Sequence, residues 1–151
     1  MTKSLPRVTP RLVVDGAAAA IELYGEVFGA TVIESFGDPS PGGKIVHCAL
    51  AIGESIISVV DSDERWGNLA PPSLGGTPVI LSLEVEDALA AGAKLEAAGG
   101  EVIIPIEDRF YGKREGRLRD PFGHLWIISQ HLETLSNEEI MRRMANLSGG
   151  D

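Results

Sequence analysis

The sequence has little cysteine, little positive charge and no long apolar run. Its one cysteine, Cys48, has no partner for an internal disulfide, and an unpaired thiol is typical of a reducing compartment, so we expect a cytoplasmic protein. No apolar stretch reaches the roughly 18 to 20 residues of a membrane span, and residues 1–6 lack the apolar core of a signal peptide. The sequence has 13 basic and 22 acidic residues, which gives a net charge of -9. This charge disfavours nucleic acid and anionic lipid as partners.

What is present is the composition of a folded globular chain. The 151 residues are 44% hydrophobic and 23% charged, which is enough apolar material to close a core. A weak internal repeat is the most informative pattern. Val32 and Val102 are equivalent positions after an Ala-rich stretch in each half, and Gly53 and Gly123 both precede an apolar strand. The two halves therefore share one spacing of about 70 residues.

Each half is predicted to form a strand, a helix and then three strands. The first helix is expected over 16–28, with Asp15 as its cap and Gly29 as its end. The second helix is expected over 88–98, behind Asp87. Pro and Gly in the turn at 120–123 predict that the last two strands form a hairpin. The polar segments 62–76 and 106–115 are expected to interrupt the strands. Ser136 begins a capping box, which predicts a short amphipathic C-terminal helix.

Two segments resemble a known family. Residues 15–30, DGAAAAIELYGEVFGA, and above all residues 116–126, GRLRDPFGHLW, resemble the glyoxalase, bleomycin-resistance and extradiol-dioxygenase superfamily, also called vicinal oxygen chelate proteins, with closest likeness to its PhnB-like branch. The resemblance implies an α+β fold of two tandem βαβββ modules, whose curved mixed sheets surround a concave pocket often completed by dimerisation. We expect a flexible N-terminus at 1–7, this domain at 8–131 with modules at about 8–62 and 77–131, and a helical tail at 132–151.

The resemblance also indicates where a metal would bind. Members that use a metal take four ligands, usually His or Glu, from the first and last strands of each module. Matched to this chain, those positions are Thr9, Ile57 or Ser58, Ile80 and Ile127. None is a usual ligand, and chelation needs three or more aimed donors. We therefore expect no metal cofactor and an apolar pocket floor.

The histidines leave one alternative open. His47 is either a pocket base or ligand, or a half-buried strand residue with a hydrogen-bond partner, and we favour the second. His124 is expected to hold its turn through backbone or Asp120 contacts, and His131 to be solvated. A displaced metal site is possible in principle from His47, Glu84 and His124, in which case these three must converge on one ion.

The predicted ligand pocket combines polar and apolar residues. Strand alternation places Arg11 with Thr9, and Glu84 with Ile80, so Arg11 and Glu84 are expected to meet as an ion pair. The alternative is a functional role, as a polar clamp or as a general base whose pKa is raised by apolar neighbours. The loop 107–114 resembles the family's segment over the pocket mouth, where Phe110 and Tyr111 either grip a ligand or pack beneath the loop. Trp66, in the other long polar segment, is expected either to grip a ligand in the same way or to form a dimer contact. The predicted lining residues are Thr9, Arg11, Ile57, Ile80, Glu84, Phe110, Tyr111 and Ile127.

Two classes of function follow. The first is a metal-free homodimer that binds, and in a resistance role sequesters, a small organic molecule. The second is a metal-dependent lyase, isomerase or dioxygenase with a non-standard ligand set. A third hypothesis is a domain that pairs with another protein through its tail helix, over 136–151.

Overall fold

The computed structural model describes residues 4–148, which divide between residues 77 and 78 into two compact units. Residues 1–3 of the predicted flexible N-terminus and 149–151 of the predicted tail lie outside the described residues. Within the described part, no helix is long and apolar enough to cross a membrane.

The first unit contains one four-stranded mixed sheet and one long helix. Its strand order is β1-β4-β3-β2, with β1 parallel to β4 and the other neighbours antiparallel. A single 3-10 turn at Glu64–Trp66 and a one-turn helix lie in the segment predicted to be irregular. The elements are β1 (Arg11–Val14), α1 (Ala17–Phe28), β2 (Thr31–Gly37), β3 (Ile45–Ile52), β4 (Ser55–Asp61) and α2 (Pro71–Leu74).

The second unit repeats this topology. Its strand order is β5-β8-β7-β6, again with one parallel pair, β5 and β8, and two antiparallel pairs. The elements are β5 (Ile80–Glu84), α3 (Ala88–Ala97), β6 (Glu101–Asp108), β7 (Lys113–Arg119), β8 (Leu125–His131) and α4 (Asn137–Ser148). The predicted α+β fold of two βαβββ modules with a C-terminal helix is confirmed.

Alternate strand residues form a core beneath each helix. In the first unit Leu12, Leu50 and Val59 are buried on one face of the sheet, and α1 buries Ala17, Ala20 and Tyr24. In the second unit Leu118, Trp126 and Ile128 are buried with Leu95 of α3. Because side chains alternate along a strand, the neighbouring residues lie on the opposite face of each sheet. We call these the helix-covered face and the opposite face.

A strand side chain anchors the start of each helix. The Asp61 carboxylate accepts hydrogen bonds from the backbone N–H groups of Gly16 (3.2 Å) and Ala17 (2.8 Å), and Gln130 accepts one from Ala88 N–H (3.0 Å). The prediction that Asp15 caps α1 is wrong, because its carboxylate accepts from the Ser62 hydroxyl instead. The prediction for Asp87 is confirmed by its bond from Ala90 N–H.

The segment 106–115 was expected to interrupt the strands, and this prediction is wrong. Strand β6 continues to Asp108 and β7 begins at Lys113, so the segment is a tight hairpin. Cross-strand pairing explains the difference, because Arg114 Nε donates to the Asp108 carboxylate at 2.6 Å across this hairpin. The turn contains Gly112 at φ +87°, a conformation that favours glycine.

The turn between β7 and β8 and the final helix form as predicted. Asp120, only 2% exposed, accepts hydrogen bonds from Phe122 N–H, His124 N–H and the Trp126 indole. The Ser136 hydroxyl accepts from Glu139 N–H, which starts α4.

Helix α4 is tied to the β6–β7 hairpin. The Arg143 guanidinium donates to the Phe110 carbonyl at 3.1 Å and to Glu133 at 2.8 Å, and Gly112 O accepts from Leu132 N–H at 2.9 Å. The tail therefore packs against the same hairpin that carries Tyr111.

Candidate functional site

A row of side chains crosses the opposite face of the second sheet. The register pairs Ile104 with Arg117, Arg117 with Ile127 and Ile127 with Ser82, so these residues share one face. A small cavity of about 90 Å³ lies on this face. Its lining residues are Ile104, Arg109, Tyr111, Glu115, Gly116, Arg117 and Ile127.

A hydrogen-bond network fixes one wall of this cavity. The Tyr111 hydroxyl donates to the Glu115 carboxylate. Arg109 Nε donates to the Glu115 carbonyl at 3.0 Å, and its terminal nitrogen donates to the Pro105 carbonyl at 2.5 Å. Burial, together with the bond to Glu115, raises the pKa of Tyr111 to about 12. Tyr111 is thus a neutral, already engaged hydroxyl at physiological pH.

Arg117 differs from the other polar residues of this wall. Its Nε is buried and has no hydrogen-bond partner within the described residues 4–148. A buried donor without a partner costs roughly 1 to 3 kcal/mol, and a guanidinium is suited to a planar oxygen acceptor such as a carboxylate. The cavity therefore combines an apolar floor of isoleucines with the guanidinium of Arg117, whose Nε has no partner among the described residues.

The second unit contains five of the predicted pocket residues, in different settings. Tyr111 and Ile127 line the cavity. The ring of Phe110 packs edge-on against Tyr111 at 5.0 Å between centroids, and Phe110 is not among the lining residues. Ile80 and Glu84 lie on the opposite face with Ile127, and Glu84, whose side chain is 73% exposed, pairs with Lys113 at 3.4 Å. The sequence did not indicate this ion pair.

The first unit contains the other three predicted pocket residues. Thr9 is exposed and precedes β1, and Arg11 is an exposed residue of β1. The register pairs Arg11 with Ser58 and Ile57 with Leu50, so Ile57, 6% exposed, lies on the helix-covered face. The register therefore places Ile57 and Arg11 on opposite faces of the sheet, and Ser58 shares the face of Arg11.

The histidines have local partners. His47 Nε2 lies 3.0 Å from a Glu34 carboxylate oxygen, and its ring packs on Phe36 at 5.1 Å, which agrees with the favoured hypothesis of a partnered strand histidine. His124 takes part in its turn through backbone bonds with Asp120, and the exposed His131 lies 3.0 Å from the Thr134 hydroxyl. Among residues 4–148, no three His, Cys, Asp or Glu side chains are grouped so as to hold a metal ion.

The sequence analysis missed Arg109 and Arg117. Arg117 alternates with the buried Leu118, so strand periodicity alone places it on the face opposite the core. Arg109 was included in the mouth loop, but its two backbone acceptors come from the hairpin geometry, which the sequence did not indicate. Arg117 belongs to the 116–126 motif, which was assigned to the turn and to the family resemblance but not to the pocket.

Comparison with known proteins agrees with this architecture. An uncharacterized protein of Mycobacterium bovis is 38% identical over 148 residues, covering 96% of both chains. The structure of PA1353 from Pseudomonas aeruginosa has a TM-score of 0.70 at 24% identity and covers 86% of this chain and 100% of that one. A PhnB protein from Bacillus cereus has a TM-score of 0.63 at 18% identity, covering 83% and 99%, which confirms the expected likeness at the level of the fold.

The family assignment rests on the sequence match. Residues 4–128 match the family model described as the Glyoxalase/Bleomycin resistance protein/Dioxygenase superfamily. This match spans most of the chain and both βαβββ modules. The chain belongs to the glyoxalase/bleomycin resistance protein/dioxygenase superfamily.

Proposed function

We propose that this chain is a small-molecule-binding member of its superfamily, which sequesters an organic ligand as a homodimer and uses no resident metal. The observation that carries the proposal is the row of Ile104, Arg117 and Ile127 along the cavity of the second unit. Ile127 stands where the resemblance places the last metal ligand, and its side chain has no donor atom. The floor of this site favours apolar contact rather than chelation.

The cavity suits one end of a ligand. Its volume of about 90 Å³ corresponds to about three water molecules, at roughly 30 Å³ each in the liquid. A carboxylate or similar oxygen-rich group fits this space and supplies the acceptor that Arg117 lacks. The rest of the molecule would extend beyond the cavity.

The partners of the alternative metal ligands also support a metal-free site. His47 is paired with Glu34 and Glu84 with Lys113, so each would have to exchange a present partner for an ion. Exposed apolar side chains on β2, Val32, Ile33 and Phe36, support the dimer part of the proposal, because such patches commonly mark contact surfaces. The lone Cys48 supports a cytoplasmic location.

The first experiment measures metal by elemental analysis of protein purified without a His-tag or chelator. It compares the wild type with a His47→Ala, His124→Ala double variant. We expect no stoichiometric metal in either protein. Near-stoichiometric metal that is lost in the variant would overturn the metal-free proposal and favour a lyase, isomerase or dioxygenase.

The second experiment tests ligand binding at Arg117. A library of small organic acids and their neutral analogues is screened by NMR against the wild type, Arg117→Met and Arg114→Met. Arg114 is the matched control because it is on the same strand, lies on the helix-covered face by alternation, and is paired with Asp108. We expect hits that perturb Tyr111 and Ile127 and that weaken in Arg117→Met alone. Equal binding to both variants would contradict the proposed site.

A further inference from the structure

A cleft in the first unit is larger than the cavity of the second. Its volume is about 340 Å³, which lies within the range of small-molecule sites. An adjoining cavity of about 430 Å³ shares Lys44, Asp63 and Asn68 with it. The lining residues of the first cleft are Arg11, Lys44, Ile45, Val46, Asp61, Asp63, Trp66 and Asn68.

Trp66 lines this cleft with most of its surface in solvent. Its side chain is 74% exposed, although tryptophan is one of the more buried residue types on average. The backbone that carries it is nevertheless ordered by hydrogen bonds. Trp66 N–H donates to the Asp63 carbonyl at 3.1 Å, and Asp63 and Asn68 form a β-bridge around the 3-10 turn. An exposed indole on this ordered turn offers a flat apolar surface to a planar molecule.

The acidic residues of the cleft already have partners. The Asp61 carboxylate accepts three backbone hydrogen bonds, from Gly16, Ala17 and Ile45. The Asp63 carboxylate accepts two from the Arg65 guanidinium, at 3.0 and 2.7 Å. These internal donors leave little capacity in either carboxylate for a ligand cation.

The basic residues of the cleft have donors to spare. Lys44 uses one ammonium hydrogen on the Ser62 carbonyl, at 2.6 Å, and an ammonium group carries three. For Arg11, the described residues 4–148 contain neither a hydrogen bond from the guanidinium nor an ion pair. The available polar chemistry of the cleft is therefore that of a cation.

We infer that this cleft is a second binding site, for a small aromatic carboxylate whose ring packs on Trp66 and whose carboxylate accepts from Arg11 and Lys44. All its lining residues belong to the first unit, whereas those of the site proposed above belong to the second. The flat Trp66 ring matches an aromatic ligand in shape, and the Arg11 guanidinium matches its carboxylate in charge.

The test uses NMR, with benzoate as the probe and benzamide as its uncharged counterpart. The chain has two tryptophans, so the nitrogen–proton spectrum of the full chain has two indole signals, and Trp66→Phe assigns them. We expect benzoate to shift the Trp66 signal saturably and to leave that of the buried Trp126 in place. Benzamide should bind at least about tenfold more weakly, because charge-assisted hydrogen bonds are the stronger ones.

Variants locate the site and separate it from the second unit. Arg11→Met should weaken benzoate binding at Trp66 about tenfold, whereas Arg7→Met, an exposed control outside the cleft, should leave it unchanged. Arg117→Met should also leave the Trp66 response unchanged, so failure of the other site is measured independently.

Three outcomes of the titrations would overturn the inference, and a fourth concerns the protein concentration. They are an unshifted Trp66 signal, equal affinity for benzoate and benzamide, and equal effects of Arg11→Met and Arg7→Met. A Trp66 signal that instead shifts with protein concentration would also overturn it, and would assign the surface to a second copy of the chain.

Discussion

The buried carboxylate of Asp120 gives the sharpest prediction for the second unit. Its Oδ1 accepts from Phe122 N–H at 2.9 Å and His124 N–H at 3.0 Å, and its Oδ2 accepts from Trp126 Nε1 at 2.9 Å. Asp120→Asn keeps the size and one carbonyl oxygen of this side chain. The amide nitrogen, however, then faces the indole N–H, so two donors oppose each other.

The expected loss of unfolding free energy follows from these contacts. A hydrogen bond to a charged group contributes about 1.5 to 3 kcal/mol, and the buried indole loses this bond entirely. The two backbone bonds persist but become neutral, and neutral bonds have about half the strength of charge-assisted ones. We expect Asp120→Asn to lower the unfolding free energy by about 2 to 4 kcal/mol.

Urea unfolding followed by circular dichroism measures this loss. Asp108→Asn is the control, since Asp108 is an exposed carboxylate in an ion pair with Arg114, and surface pairs contribute about 0 to 1 kcal/mol. A double-mutant cycle with Trp126→Phe isolates the indole bond from the packing change. We expect a coupling energy of about 1.5 to 3 kcal/mol between positions 120 and 126.

A coupling below about 0.5 kcal/mol, the usual scatter of independent sites, would refute this reasoning. Equal losses for Asp120→Asn and Asp108→Asn would refute it as well. Either result would mean that the turn is held by its backbone alone.

Three further perturbations test the hairpin and the tail. The pKa of Tyr111 is raised to about 12 in the folded chain. Its contribution to the unfolding free energy is therefore complete below the unfolded pKa near 10 and is lost as pH rises toward 12. Urea titrations from pH 9 to 11 should show a smaller decline of the unfolding free energy in Tyr111→Phe than in the wild type. Two arginines lower the pKa of Glu139 to about 2. The stability that this carboxylate adds to α4 is therefore present above its usual pKa of 4.5 and is lost as pH falls toward 2. The helical circular dichroism signal of Glu139→Gln should lack this acid dependence. Gly112→Ala would place Cβ 2.4 Å from the Glu133 carbonyl at φ +87°. It should lower the unfolding free energy by at least about 1 kcal/mol. Gly42→Ala, at φ +76° in open space, should lower the unfolding free energy by less, as measured by urea unfolding of both variants.

Features set by local chemistry could be predicted from the sequence. The end of α1 at Gly29, the turn after Asp120 and the capping residues Asp87 and Ser136 all depend on neighbours within a few positions. The repeat was visible because the two halves of the sequence share one spacing of about 70 residues. These signals are sufficient to derive two βαβββ modules. In the candidate site, Tyr111 and Ile127 were expected from the family resemblance, and both line the cavity of the second unit.

Features set by distant pairing could not be predicted in this way. Asp61 lies far from α1 in sequence, so its role at the helix start follows only from the parallel pairing of β1 with β4. The face of Ile57 depended on a register that differs by one residue from the assumed one, and such a shift reverses the face of a side chain. Arg117 could not be assigned to the cavity of the second unit from the sequence, because only the structure shows that its Nε has no partner among the described residues.

The parallel pairing also bears on the order in which each unit assembles. Strands β2, β3 and β4 form consecutive hairpins. In contrast, β1 pairs only with β4, so Arg11 pairs with Ser58, which is far from it in sequence. Contacts distant in sequence incur more loop-closure entropy and form later than local ones. The hairpins of β2–β4 and β6–β8 should therefore gain hydrogen-exchange protection first, with β1 and β5 completing each sheet. The first strand synthesised in each module would thus be the last to join its sheet.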